Sequence, residues 1–424
     1  MNNTPEKWLF ACHLSYGDRS AVALVKYAAG ETEVRAIPVT DEAKSAHPQV
    51  FLGVTRDEQV IMMDAETKAV SHQAVYPECA FAPYAYHSPS DSQAWYTNDG
   101  DEETGNDSLN CGTEGASLTV VQGDGANGAS ILKTLCVGRG HHVTTFVLPN
   151  ADHPKVPYRV FASNLLDGTI SVIGNDPADA STYLNVVTTI NLCEPDKEDD
   201  GVMIAPNNAF PHGQVYSPVT GKVYNLNNGY RTVAVIDPVT CEVENRIPMK
   251  VSSNLLLSAC GRFLIGKGAD RKGDPDHVIG RLSILDVEAG EVCVTLDLKD
   301  VYPSTYRFSP DGTRLYVTTA ATGKGAQRDY LKKDVVYVYD TSALPKISLI
   351  KEIRVGEADC SRRPIAFLRN DAVAHRIFVP NPSEGTLSIL DGAHDSVLET
   401  VRISRKPVKE VNFSLLNGGH IYGC

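Results

Sequence analysis

The 424-residue chain lacks an excess of basic side chains, a long apolar run and any closely spaced cysteine pair. Lys and Arg number 39 against 52 Asp and Glu, for a formal net charge of −13. Nonspecific binding to nucleic acid or to an anionic membrane surface needs a basic field, so neither partner is expected. No stretch approaches the ~20 apolar residues of a membrane span. The apolar run after Lys7 in "MNNTPEKWLFACHLSYGDRS" is shorter than the roughly 7–15 residues of a secretory signal. As written, the chain reads as cytoplasmic, or as periplasmic if a leader has been removed. Ten cysteines are scattered with no CxxC or CxxCH spacing. That excludes covalent c-type haem and argues against a zinc knuckle. Reduced thiols buried in the packing are expected instead.

What the sequence does contain is a tandem pattern. An apolar, β-rich run ends in Asp or a small polar residue, a turn follows, and a second β-rich run begins. The first run ends at Asp64, Asp237, Asp286, Asp340 and Asp391, with degenerate copies at Lys26, Gln122 and Gly174. The gaps between copies run from 38 to 63 residues. Repeats of that size made only of short strands signal an all-β propeller, one four-stranded blade per copy. The clearest copy reads "STYRFS", a "PDGT" turn, "RLYVTT", "VVYVYD" and "SLIKEIRV". Pro310 presets the φ of that turn and Gly312 tolerates a positive one.

The eight copies predict a single eight-bladed propeller domain over residues 1–424. The N- and C-termini share one blade, built from "WLFACHL", "SAVALVKY", "EVRAIPV" and "KEVNFSLL". Because "HIYGC" also has the look of a strand, a seven-bladed ring with an extra edge strand is the alternative. In the second blade the innermost strand, near residues 41–48, is poorly defined. The long excursions are residues 98–115, 193–210, 267–280 and 321–334, mostly on the face where each innermost strand begins. Long loops gathered on one face of a rigid scaffold are the usual place for binding.

"VYSPVTGKVYNLNNGYRTVAVIDPVTCEV" and "RVFASNLLDGTISVIG" resemble the YVTN-type repeats of YncE-like β-propellers. The central four residues depart from that repeat, reading "YNLN" at Tyr224–Asn227. The resemblance implies the propeller fold and leaves function open. The superfamily includes cytochrome d1-type haem propellers and amine dehydrogenase heavy chains, and it lies near the lactonase propellers.

Aligning the innermost strands on their turns gives one channel-mouth position per blade. It holds Pro83, His142, His212, Ser253, Ser304, Arg363 and Lys409, with His141, Asn254, Tyr306, Arg362 and Lys406 close by. A basic cluster in an acidic protein points to an anionic small molecule. Arg grips carboxylate or phosphate bidentately and Lys adds a point charge. Imidazole is the group suited to proton transfer near neutrality. His142 and His212 are therefore the candidate catalytic residues. Arg363, Lys409, Arg362, Ser253, Asn254, Ser304 and Tyr306 are the candidate substrate contacts.

A competing reading makes His141, His142 and His212 ligands of a transition metal (copper, iron or zinc). Neighbours on a strand face opposite ways, so His141 and His142 cannot both ligate from within one. His47, His87 and His277 are further donors. "NDGDEETGND" at residues 98–107 concentrates carboxylates that would suit calcium, without EF-hand spacing. "GDGANG" matches GxGxxG but leads into a strand, and "GRFLIGKG" mimics a P-loop with Gly268 where Ser or Thr belongs. Both are set aside. Three functions follow: an enzyme for an anionic small molecule, a metal- or tetrapyrrole-dependent oxidoreductase, and a scaffold for a protein partner on the long-loop face.

Overall fold

The computed structural model describes residues 10–16, 20–28, 31–37, 49–54, 60–64, 70–73, 85–88, 93–98, 111, 116–122, 130–360, 362–367 and 376–415. Their strands form a β-propeller of antiparallel sheets: seven of four strands and one of three. Sheet 1 takes Phe10–Ser15, Ser20–Ala28 and Glu31–Ile37 from one end of the chain and Glu410–Leu415 from the other. The pairing runs from Ser15 opposite Glu410 to Phe10 opposite Leu415, so both ends share a sheet. "HIYGC" lies outside the described residues. Sheet 2 is the three-stranded one, and the ill-defined strand near 41–48 is also outside them.

Sheets 3 to 8 follow in chain order and open at Ala85, His141, Pro211, Asn254, Pro303 and Ala366. The opening strands of sheets 4, 5 and 6 pack against one another, which makes them innermost. The second and third strands are buried along most of their length, as in Arg159–Asn164 and Thr169–Gly174 of sheet 4. The outermost strands alternate or open to solvent, as in Glu291–Lys299 of sheet 6. Middle strands are covered by a neighbouring sheet on each face; an outer strand has water beyond its edge. Phe263, Ile265, Leu282 and Ile284 of sheet 6 thus share one core with Tyr306, Leu315, Val317 and Tyr337 of sheet 7.

The Asp at the end of the third strand in sheets 5, 6 and 8 has a defined task. Asp237 bonds Lys222 at 2.7 Å, Asp286 bonds Arg262 at 2.6 Å, and Asp391 bonds Arg376 at 3.1 Å. Each cation lies at the start of its sheet's second strand. The same carboxylates accept backbone N–H groups two residues on, at Val239, Glu288 and Ala393. One short acid therefore closes the turn and ties it to the neighbouring strand.

Gly213, in the opening strand of sheet 5, marks the tightest contact between adjacent innermost strands. A Cβ there would lie 2.7 Å from the Leu255 nitrogen and 2.8 Å from the Asn254 Cα. Only a hydrogen fits, so Gly213→Val is expected to destabilise the fold by about 1–3 kcal/mol. Urea unfolding of the variant checks this, and an unchanged midpoint would contradict the close approach.

Cys111 and Cys136 form a disulfide, which corrects the expectation that the ten thiols are all reduced. Spacing offers no cue to this pair, because residues 25 apart are brought together only by the sheet. No helix among the described residues is long and apolar enough to cross a membrane.

Candidate functional site

The site is built where sheets 5, 6 and 7 meet. The Gly213 contact carries His212 to the backbone of Ser253, just before the opening strand of sheet 6. Asn254 then pairs with Lys267 of the second strand, Phe263–Asp270. The opening strand of sheet 7, Pro303–Phe308, supplies Tyr306 and Arg307. Arg362 stands a few residues before the opening strand of sheet 8.

Lys267 is out of character for its position. It pairs with Leu282, three residues before the bulge that joins the third and fourth strands. The corresponding pairs are Ser163–Ile170, Leu226–Val233, Thr318–Val336 and Pro380–Leu387. Those four sheets place an uncharged residue there; sheet 6 places an ammonium. Lys267 is only 9% exposed. Its ammonium lies 5.9 Å from the centre of the Tyr306 ring, a cation–π contact. Among the described residues no hydrogen bond or ion pair holds that ammonium. Tyr306 itself is fully buried and donates its hydroxyl to the Ile265 carbonyl at 2.7 Å.

The electrostatics are one-sided. Burial, reinforced by the charges of Arg307 and Arg362, pulls the Lys267 pKa down to about 7. Burial, reinforced by Lys267, pulls His212 down to about 4, against smaller opposing hydrogen bonds at the Ser253 and His212 backbone. The imidazole is therefore neutral at physiological pH, and the lysine is half protonated near pH 7. Burying the Lys267 ammonium without a hydrogen-bonded counter-charge is costly. An anion among these groups would reverse both shifts.

Several expected contacts are spent on the fold. Arg363 is fully buried. Its Nε donates to Pro380 O at 2.8 Å and its Nη1 to Lys333 O at 3.0 Å, while Nη2 serves Gly356 O and Asn381 Oδ1. Its pKa falls to about 10 through burial. This corrects its assignment as a substrate contact: the guanidinium is a tie between sheets 7 and 8. Ser304 is corrected likewise, since its buried hydroxyl accepts the Arg363 N–H at 2.6 Å. The Tyr306 hydroxyl is taken by Ile265, so its contribution to the site is its ring face. Ser253 donates its N–H and hydroxyl to Lys267 O, and Asn254 Oδ1 accepts the Leu255 N–H. Lys409 is exposed at the closing sheet, its N–H donating to Ser15 O at 2.7 Å.

His141 and His142 open sheet 4, but their side chains lie outside the described residues, as do Pro83 and residues 99–110 of the acidic loop. Among the described residues no three His, Cys, Asp or Glu side chains gather as a metal site. The charge acting on the His212 ring is that of Lys267, which repels a metal cation. Of the three candidate metal ligands, His212 is the one whose side chain is described. Lys267 lies inside "GRFLIGKG", which the sequence offers only as a failed nucleotide motif, and Arg307 lies in "STYRFS" beside Tyr306 without a signal of its own. Comparing the second strand from sheet to sheet would have exposed the lone charge.

A scan against protein-family models gives no match, and neither does a search of curated proteins. Solved structures do match. The periplasmic gluconolactonase PpgL of Pseudomonas aeruginosa is similar over 96% of this chain and 99% of its own, with 13% identity and a TM-score of 0.56. Dihydro-heme d1 dehydrogenase NirN, solved in complex with DHE, is similar over 87% of this chain and 68% of its own, with 14% identity and a TM-score of 0.51. The hydrazine synthase of Kuenenia stuttgartiensis covers 75% of this chain and 85% of its own, with 15% identity and a TM-score of 0.51. Identities this low establish the shared propeller fold alone.

Proposed function

We propose that this propeller is an enzyme acting on an anionic small molecule, a carboxylate- or phosphate-bearing lactone or ester. Lys267, Arg307 and Arg362 receive the anion and His212 handles the proton. The observation that carries the reading is the buried, uncompensated ammonium of Lys267 among other cations. A neutral imidazole can accept a proton from an attacking water. The ammonium and guanidinium groups stabilise negative charge that develops on the carbonyl oxygen. The bound anion raises the His212 pKa from about 4 towards the range where a general base is effective. The likeness to a gluconolactonase suits this chemistry. The Cys111–Cys136 disulfide supports the periplasmic alternative for its location, since disulfides persist in oxidising compartments.

Gluconolactone, a phosphorylated gluconolactone and simple dianions are the first probes. Binding of an anion near neutral pH is expected to take up a proton, because Lys267 titrates there. Above pH 7 the affinity should fall by up to about tenfold per pH unit. Calorimetry in buffers of different ionisation enthalpy reads the proton directly. With a turned-over substrate in hand, His212→Ala is expected to lower kcat by about 10²–10⁴-fold with little change in affinity. Circular dichroism serves as the folding control. Near-wild-type turnover in His212→Ala would remove the catalytic assignment.

A further inference from the structure

A second cavity lies between sheets 5 and 6, with a volume of about 470 Å³. It is lined by Arg231, Pro248, Met249, Lys250, Val251, Asp270 and Arg281. That volume suits a small organic ligand. Pro248 and Val251 offer an apolar wall. The strap from Met249 to Ser252 separates this cavity from Lys267: its inner side lies against the backbone of Gly266 and Gly268, where an added Cβ would strike Met249 Sδ at 2.8 Å and Ser252 Cα at 2.6 Å.

Three cations line the cavity, and they differ in how they are held. Arg281 is paired with Asp297 at 2.7 Å. Asp270 accepts the N–H groups of Lys272 and Gly273, which keep it ionised. Arg231 and Lys250 have no hydrogen bond or ion pair to their side chains among the described residues. Arg231 also stands where its backbone disfavours it. Its φ is +58°, whereas glycine occupies the corresponding turn position in sheets 4 and 8, at Gly168 (φ +64°) and Gly385 (φ +66°). A side chain in that region is strained relative to glycine. Here the strained position places a guanidinium on a cavity wall, with no hydrogen bond to it and with its charge acting on Asp270.

We propose that this cavity is a second ligand site, which binds an organic carboxylate with an apolar body. Arg231 and Lys250 hold the carboxylate, and Pro248 and Val251 take the aliphatic or aromatic part. Arg281 keeps its partner and shapes the rim. The site is independent of the Lys267 cluster, because it uses neither that ammonium nor His212.

The test is calorimetric titration of the full chain with phenylpropionate, and with inorganic phosphate for comparison. Lys267→Met, which lacks the inner anion site, is expected to bind phenylpropionate in a salt-sensitive manner and phosphate at least about tenfold more weakly, because phosphate leaves the apolar wall uncovered. Arg231→Gly is expected to weaken phenylpropionate by about tenfold or more. Its melting temperature should be unchanged or higher, since glycine relieves the positive φ; lost binding therefore cannot be blamed on misfolding. Lys267→Met is expected to leave phenylpropionate binding intact, which separates this site from the enzyme reading. The proposal is overturned if wild type does not bind phenylpropionate, if Arg231→Gly binds it like wild type, or if Lys267→Met abolishes binding while Arg231→Gly does not.

Discussion

Lys267→Met is expected to make the protein more stable at neutral pH and to abolish anion binding at the inner strands. The reason is the sign of the titration. The folded-state pKa of Lys267 is about 7, below the unfolded value of 10.5. A lysine depressed in this way costs stability fully below pH 7. The cost shrinks as pH rises towards 10.5 and is gone above it. At pH 7 it amounts to about 2–4 kcal/mol. Methionine fills a similar space with a flexible, uncharged chain. Chemical denaturation of both proteins across pH should therefore show a gain near pH 7 that closes by about pH 10.5. His212 adds a smaller dependence of the same direction: its folded pKa of about 4 lies below the usual 6.5, so its cost is lost as pH rises through that window. A variant that is less stable at pH 7 and binds anions unchanged would contradict the site. Such a trade, stability lost where function needs an uncompensated charge, is common at active sites.

Arg363→Met is expected to act in the opposite way. Removing the guanidinium orphans the carbonyls of Lys333, Gly356 and Pro380 and the amide oxygen of Asn381. Each is buried where sheets 7 and 8 meet, and buried acceptors without donors cost about 1–3 kcal/mol apiece before relaxation. A net loss of about 3–5 kcal/mol is expected. Arg363→Lys should recover little of it, because an ammonium cannot reproduce the planar fork. Anion affinity per folded molecule should be unchanged in either variant, measured at low temperature with the folded fraction known. Affinity that falls with the folded fraction held constant would return Arg363 to the binding site. The assignment had rested on Arg363 preceding an innermost strand, and its position there is right. The direction of its side chain is what differs: Thr318 Oγ1 bonds the Arg363 carbonyl at 2.7 Å and turns the segment inward.

The propeller was legible in the chain because its signals are local. Each Asp after an apolar run marks a turn that the acid itself closes, and Asp237, Asp286 and Asp391 do this with hydrogen bonds to residues two positions on. The pairing of the chain ends was legible for the same reason, since an incomplete set of strands at each end adds up to one sheet. Strand starts were also readable: His212 lies in the opening strand of sheet 5, and Arg362 stands just before that of sheet 8. Side-chain direction was not readable. It depends on which neighbouring sheet covers each face, and that is a long-range matter. The sequence therefore determined the repeat, its turns and the acidic overall balance. Only the packing of sheet on sheet decided that Arg363 is a tie, that Cys111 meets Cys136, and that Lys267, charged where four other sheets are uncharged, is buried with no hydrogen bond or ion pair among the described residues. A charge is ordinary in a sequence; its chemistry is set by what the fold removes from around it, which here is most of its water.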